Sequence, residues 1–184
     1  MGISKGMKEK LEGRIRILTV CAIIGLALSA FGFFQAKEQF AVSYHTSFMF
    51  WMGLTVGCLP IVFIHCLTHG GWGFPIRCIL QNGTRLFPLM AVAFVPLYLC
   101  MDILYVWTDA DVIAHDKIVA GKTIYLNVPG FTIRAIIYFA IWIALSTALC
   151  KLSSKWDQTE DSETDRKLQG LGGVGLLLYA LTVR

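Results

Sequence analysis

Arg134 is the first residue that demands an explanation, because it stands about a turn inside an apolar run covering 129–150. A guanidinium in hydrocarbon is costly unless a counter-charge or water meets it, so function is sought through its partner. Asp102 is the candidate by depth. It lies near the end of the preceding apolar run, which closes at Trp107. At about 1.5 Å per residue, Asp102 and Arg134 each fall roughly 7 Å below the same boundary. The spacing predicts that the two pair, which would relieve the cost of both charges. His45 opens an earlier run on that side, and Tyr138 follows Arg134 by one turn on the same helix face. These four residues define a candidate polar layer able to pass protons toward that surface. A second reading has Arg134 snorkelling to the headgroups alone while Asp102 meets water.

His65 and His69 are spaced to share a helical face and could offer two ligands to a metal or haem. Two ligands fall short of a site, and Gly70 and Gly71 follow at once, so they read as interfacial histidines. The six cysteines (Cys21, Cys58, Cys66, Cys78, Cys100 and Cys150) form no CxxC and no CxxCH. They read as small hydrophobes, with no disulfide, zinc or c-type haem signal. Trp51, Tyr105 and Trp107 read as interface anchors or packing aromatics, with a ligand contact as the alternative. The acidic run 157–165 reads as a solvated link. With no triad, paired carboxylate or phosphate loop, the chain is expected to hold no catalytic residue, metal or cofactor of its own.

The elements that must carry these residues are membrane helices. Apolar residues make up 56% of the 184-residue chain and charged residues only 15%, with a mean hydropathy of +0.64. That is too hydrophobic for a soluble domain of this size. The expected fold is an all-α polytopic bundle. A basic lead, 1–16, precedes complete spans at about 17–34, 42–66, 86–107 and 129–150, and a fifth begins at 168–184. Its last residue is Arg184, which leaves too few residues to cross, so the chain is expected to continue beyond it. Pro60 should kink the second span, and Pro88 and Pro96 interrupt the third. Ala27-Leu28-Ser29-Ala30 imitates a signal-peptidase site, although the equally hydrophobic spans that follow favour an uncleaved anchor.

Lysine and arginine set the orientation. Eleven fall in the lead and in the segments that share its side, against three, Lys37, Lys117 and Lys122, in the opposite links. This positive-inside bias predicts a cytoplasmic N-terminus and, with a formal charge of +4, points to a bilayer and not to nucleic acid. Gly53 and Gly57 are one turn apart on the second span, a small-residue pattern that predicts close packing with another helix.

A composite motif adds a resemblance. His115-Asp116-Lys117, Tyr125-Leu126-Asn127-Val128-Pro129, Phe131, Ile133-Arg134-Ala135 and Tyr138-Phe139-Ala140-Ile141-Trp142 resemble the quinone-associated membrane subunits of bacterial alternative complex III, a quinol:cytochrome c oxidoreductase. Leu67-Thr68, Gly71-Trp72 and Arg77 agree, as do Leu168-Gln169, Leu171 and 176–182, so the likeness covers most of 45–184. The resemblance implies a non-catalytic membrane subunit of the bacterial inner membrane, structural and with a role in proton conduction. Its partners would be other membrane subunits, an iron–sulfur protein and a multihaem cytochrome c. The c-type haems and iron–sulfur clusters would belong to those partners, and the complex would use a quinol. From a different class, the alternative is a transporter or channel component whose polar membrane residues line a path.

Overall fold

The computed structural model describes residues 5–68, 74–108, 121, 125–159 and 161–183. The remaining positions include His69, Gly71 and Trp72 of the breaker cluster, the acidic loop with His115, Asp116 and Lys117, and Arg184; what the sequence predicts for these lies outside the described residues. The chain divides into two compact units, Met1–Tyr44 and His45–Arg184.

The described residues form helices and no strand. Four helices are long and apolar enough to cross a membrane, so the chain is a multi-pass, all-α membrane protein. Helix α1, Lys5–Gln35, runs unbroken from the basic lead into the first span. Only Ala36 separates it from α2, Lys37–Thr68, where the sequence predicts a longer polar link. The junction stays close to helical because Ala36 N–H donates to Gly32 O and Phe40 N–H to Ala36 O. Phe33 meets the edge of Phe40, which stacks on Tyr44.

In the second unit, α2 presents one face inward through Phe48, Met52, Thr55, Leu59 and Val62, all buried at alternating steps of four and three. Phe50, Trp51, Leu54, Ile61 and Ile64 occupy the opposite, exposed face. In a bilayer such exposure is solvation by lipid tails, and helix association depends on fit and hydrogen bonds.

The third span differs from its expected outline. Helix α3, Phe74–Thr84, already belongs to it, and the apolar crossing covers Ile76–Leu99, not 86–107. Three short helices continue the chain: α4, Phe87–Ala93, α5, Val95–Leu99, and α6, Met101–Leu104; a 3-10 turn, Val106–Thr108, follows. Pro88 and Pro96 each sit in the first turn of a new helix, where their missing N–H costs nothing. Cys100, at φ −110° and ψ 17°, makes the next break.

Helix α7, Val128–Thr159, runs antiparallel to α3 and α4 and far past the expected end at Cys150. A ladder of polar contacts explains the extension. Arg77 pairs with Asp157 and lies over the ring of Trp156, 5.4 Å from its centre. Gln81 donates to Ser153 Oγ at 2.7 Å, Arg85 Nε to Cys150 Sγ at 3.4 Å, and Ser146 Oγ to Thr84 O at 2.8 Å. On α7 each rung is about one helical turn from the next, so that helix is zipped along one edge to the segment from Arg77 to Arg85.

Helix α8, Ser162–Thr182, starts six residues before the expected fifth span, behind an N-cap in which Asp161 accepts from Glu163 N–H at 3.2 Å. On its first turn Lys167 donates to Glu163 and holds that carboxyl below its ordinary range. The helix folds back on α7, where Trp142 Nε1 donates to Thr182 Oγ1 at 3.0 Å in a buried contact. It also packs on α2 through glycine. A Cβ at Gly175 would stand 2.6 Å from the Phe63 ring, and one at Gly172 3.0 Å from Phe63 O. By contrast, a Cβ at Gly53 or Gly57 would meet nothing within 4 Å, so the small-residue contact inside this chain is made by α8.

Candidate functional site

Phe131, Arg134, Ala135, Tyr138, Phe139 and Trp142 recur every three or four residues along α7 and therefore share one face. That face forms a wall of a cavity of about 460 Å³. Phe48 and Met52 from α2 form a second wall, and the broken third span supplies Phe94, Tyr105 and Trp107. Phe94 reaches this position because Pro96 ends α4 just before it and leaves Phe94 as the hinge residue between two helices.

The walls hold one another by ring contacts. Phe94 lies 5.9 Å from Phe48, 6.1 Å from Phe131 and 5.7 Å from Phe139. Tyr105 and Trp107 lie 5.6 and 5.8 Å from Phe131. Trp142 closes the far end, 5.7 Å from Phe139 and 6.1 Å from Tyr138. Centroid separations in this range are those of favourable offset and edge contacts, each worth about 0.5–1.5 kcal/mol beyond area burial. The cavity is thus pre-formed.

Arg134 is the one charged residue among the described residues that line it. Its Nη2 donates to Tyr125 O at 2.8 Å, and its guanidinium carbon lies 3.9 Å from the centre of the Tyr125 ring. The turn ahead of α7 makes this contact. Asn127 Oδ1 accepts from Gly130 N–H at 2.6 Å, a helix cap that folds Tyr125 back over the first turn. Arg134 therefore does not pair with Asp102. The depth argument assumed an unbroken third span, whereas Asp102 sits on α6, beyond the break at Cys100, and its side is exposed. Of the four polar-layer candidates, Arg134 and Tyr138 line the cavity, whereas Asp102 lies outside its lining.

His45 borders the site at second hand. Its ring meets Tyr105 edge-on at 6.4 Å, and its buried Nδ1 has no hydrogen-bond partner among the described residues. Among the described residues no three His, Cys, Asp or Glu side chains gather as a metal site, and the six cysteines are free thiols. Sequence reasoning missed Phe48, Phe94, Phe131 and Phe139 as a set. The spacing on α7 carried that signal, but the contribution of Phe94 depended on where the proline-broken span would bend.

No protein-family model matches the chain, and no curated protein matches it significantly. Fold and site together define a class: an all-α, multi-pass membrane protein with an aromatic cavity bordered by one arginine.

Proposed function

We propose that the chain is an integral membrane subunit of a bacterial respiratory quinol:cytochrome c oxidoreductase of the alternative complex III type, set in the inner membrane with its N-terminus cytoplasmic. Electron transfer through iron–sulfur clusters and c-type haems belongs to partner subunits. This chain contributes helical structure and a cavity that accepts the quinol ring.

The cavity carries the reading. A quinol ring is flat and apolar on both faces, with oxygens at opposite edges. Aromatic walls suit the faces, and a fixed guanidinium can donate to an oxygen. Tyr138 beside Arg134, and His45 behind Tyr105, are the polar groups through which protons from quinol oxidation would leave. The thin internal packing is in keeping with a subunit: 33%, 22% and 28% of the apolar windows of the last three crossings are buried, which leaves broad faces for other helices. The resemblance of 45–184 to the family's membrane subunits points the same way.

Affinity purification of the tagged protein from its native membrane in mild detergent tests the assignment. The expected result is co-purification of a multihaem cytochrome c and an iron–sulfur protein, with quinol-driven cytochrome c reduction in the eluate. A chain recovered without haem, in membranes whose quinol oxidation survives its deletion, overturns it.

A further inference from the structure

At the opposite end of the spans from the aromatic cavity, a second cavity of about 250 Å³ opens between the α3–α4 junction and α7. Arg85 and Lys151 stand at its outer end, both exposed, with the hydroxyls of Ser146 and Thr147 beside them; among the described residues no carboxylate lines it. Pro88 and Ile143 form its apolar part. The cavity is therefore graded along the membrane normal. Ile143 lies eight residues from Lys151 toward the interior of α7, about 12 Å at the helical rise. Trp156, five residues beyond Lys151 in the other direction, lies about 7 Å farther out, and tryptophan at a span end marks the headgroup layer.

Arg85 is already oriented. Its Nε is held by Cys150 Sγ at 3.4 Å, while its terminal nitrogens have no partner among the described residues and face the same opening as Lys151. Ser146 and Thr147 donate to Thr84 O and Ala144 O at 2.8 and 2.9 Å, which leaves their oxygens as acceptors. Two cations at headgroup depth above an apolar slot match one kind of occupant.

We propose that this cavity binds an anionic phospholipid, with the phosphate between Arg85 and Lys151 and an acyl chain along Pro88 and Ile143. The cations select net negative charge and the glycerol or headgroup hydroxyls meet Ser146 and Thr147. A polar ligand such as free phosphate would leave the apolar slot unused. Removing both cations should weaken binding by about fivefold each, or about 25-fold together.

The test uses the purified protein with whatever subunits accompany it, in nanodiscs of phosphatidylcholine doped with phosphatidylglycerol. Native mass spectrometry counts retained lipid, and thermal unfolding reports stabilisation by it. Wild type should retain phosphatidylglycerol over phosphatidylcholine and gain thermal stability from it. Arg85→Gln with Lys151→Gln should lose both effects, whereas Lys155→Gln with Arg166→Gln, which removes two cations outside the cavity, should lose neither. If the first pair unfolds, Ile143→Trp fills the slot without touching charge and should likewise lower retention. Equal retention of the two lipids, equal loss in the control pair, or displacement of the lipid by millimolar inorganic phosphate would overturn the proposal.

Discussion

Arg134 shows how far a single charged residue could be read in advance. Its position inside an apolar run, and its need for a partner, followed from residue types alone. The identity of the partner did not, because it depended on two local features with no strong sequence signal: the cap at Asn127 that folds Tyr125 back, and the break at Cys100 that displaces Asp102. The two partners make different predictions. Since Arg134 engages the carbonyl and ring of Tyr125, a double-mutant cycle of Arg134→Gln with Tyr125→Leu should show a coupling of about 0.5–1 kcal/mol, the size of an exposed cation–π contact. The cycle of Arg134→Gln with Asp102→Asn should be additive to within about 0.5 kcal/mol. Unfolding in detergent measures both, and strong coupling in the second cycle would favour Asp102 over Tyr125 as the partner. Arg134→Lys keeps the charge but loses the planar donor face, so the KM for quinol should rise by about tenfold while kcat changes less.

At the level of elements, the existence and type of the membrane helices were legible and their ends were not. Hydropathy marks where a helix must be apolar, but α7 and α8 extend into charged sequence because side chains there find partners: Asp157 meets Arg77, Ser153 meets Gln81, and Asp161 caps α8. Arg77 is nearly buried at that junction, so Asp157→Asn should cost about 1–3 kcal/mol by weakening a charge-assisted hydrogen bond. The glycines separate in the same way. Gly53 and Gly57 had the recognisable spacing, yet Gly172 and Gly175 make the close approach to α2, in a run where glycine spacing alone did not say which face would pack. Gly175→Ala drives a methyl into the fully buried Phe63 ring and should destabilise by about 1–3 kcal/mol. Adding Phe63→Leu should recover part of that loss; simple additivity would show that the contact is not the cause. Replacing Gly53 and Gly57 by Leu should leave the stability of the chain within about 0.5 kcal/mol, since both face open space. Any fall in co-purification of partner subunits by that pair then reports an external helix contact, and unchanged assembly would remove it.

For the whole molecule, composition gave the class, and the cavity gives it a use. The apolar crossings expose most of their surface, as expected of helices that meet lipid or neighbouring subunits. Within that frame the aromatic cavity lies toward one surface, and the cationic cavity lies toward the other. The central claim is that the aromatic cavity holds a quinol ring. Photolabelling of the native, purified assembly with an azido-quinol, followed by peptide mapping, tests it most directly. Label should appear on the α7 stretch carrying Phe131, Arg134, Tyr138 and Phe139 and on the segment with Phe94 and Tyr105, and excess unlabelled quinol should suppress it. Label confined to other subunits, or label on these segments that excess quinol leaves unchanged, would contradict the claim.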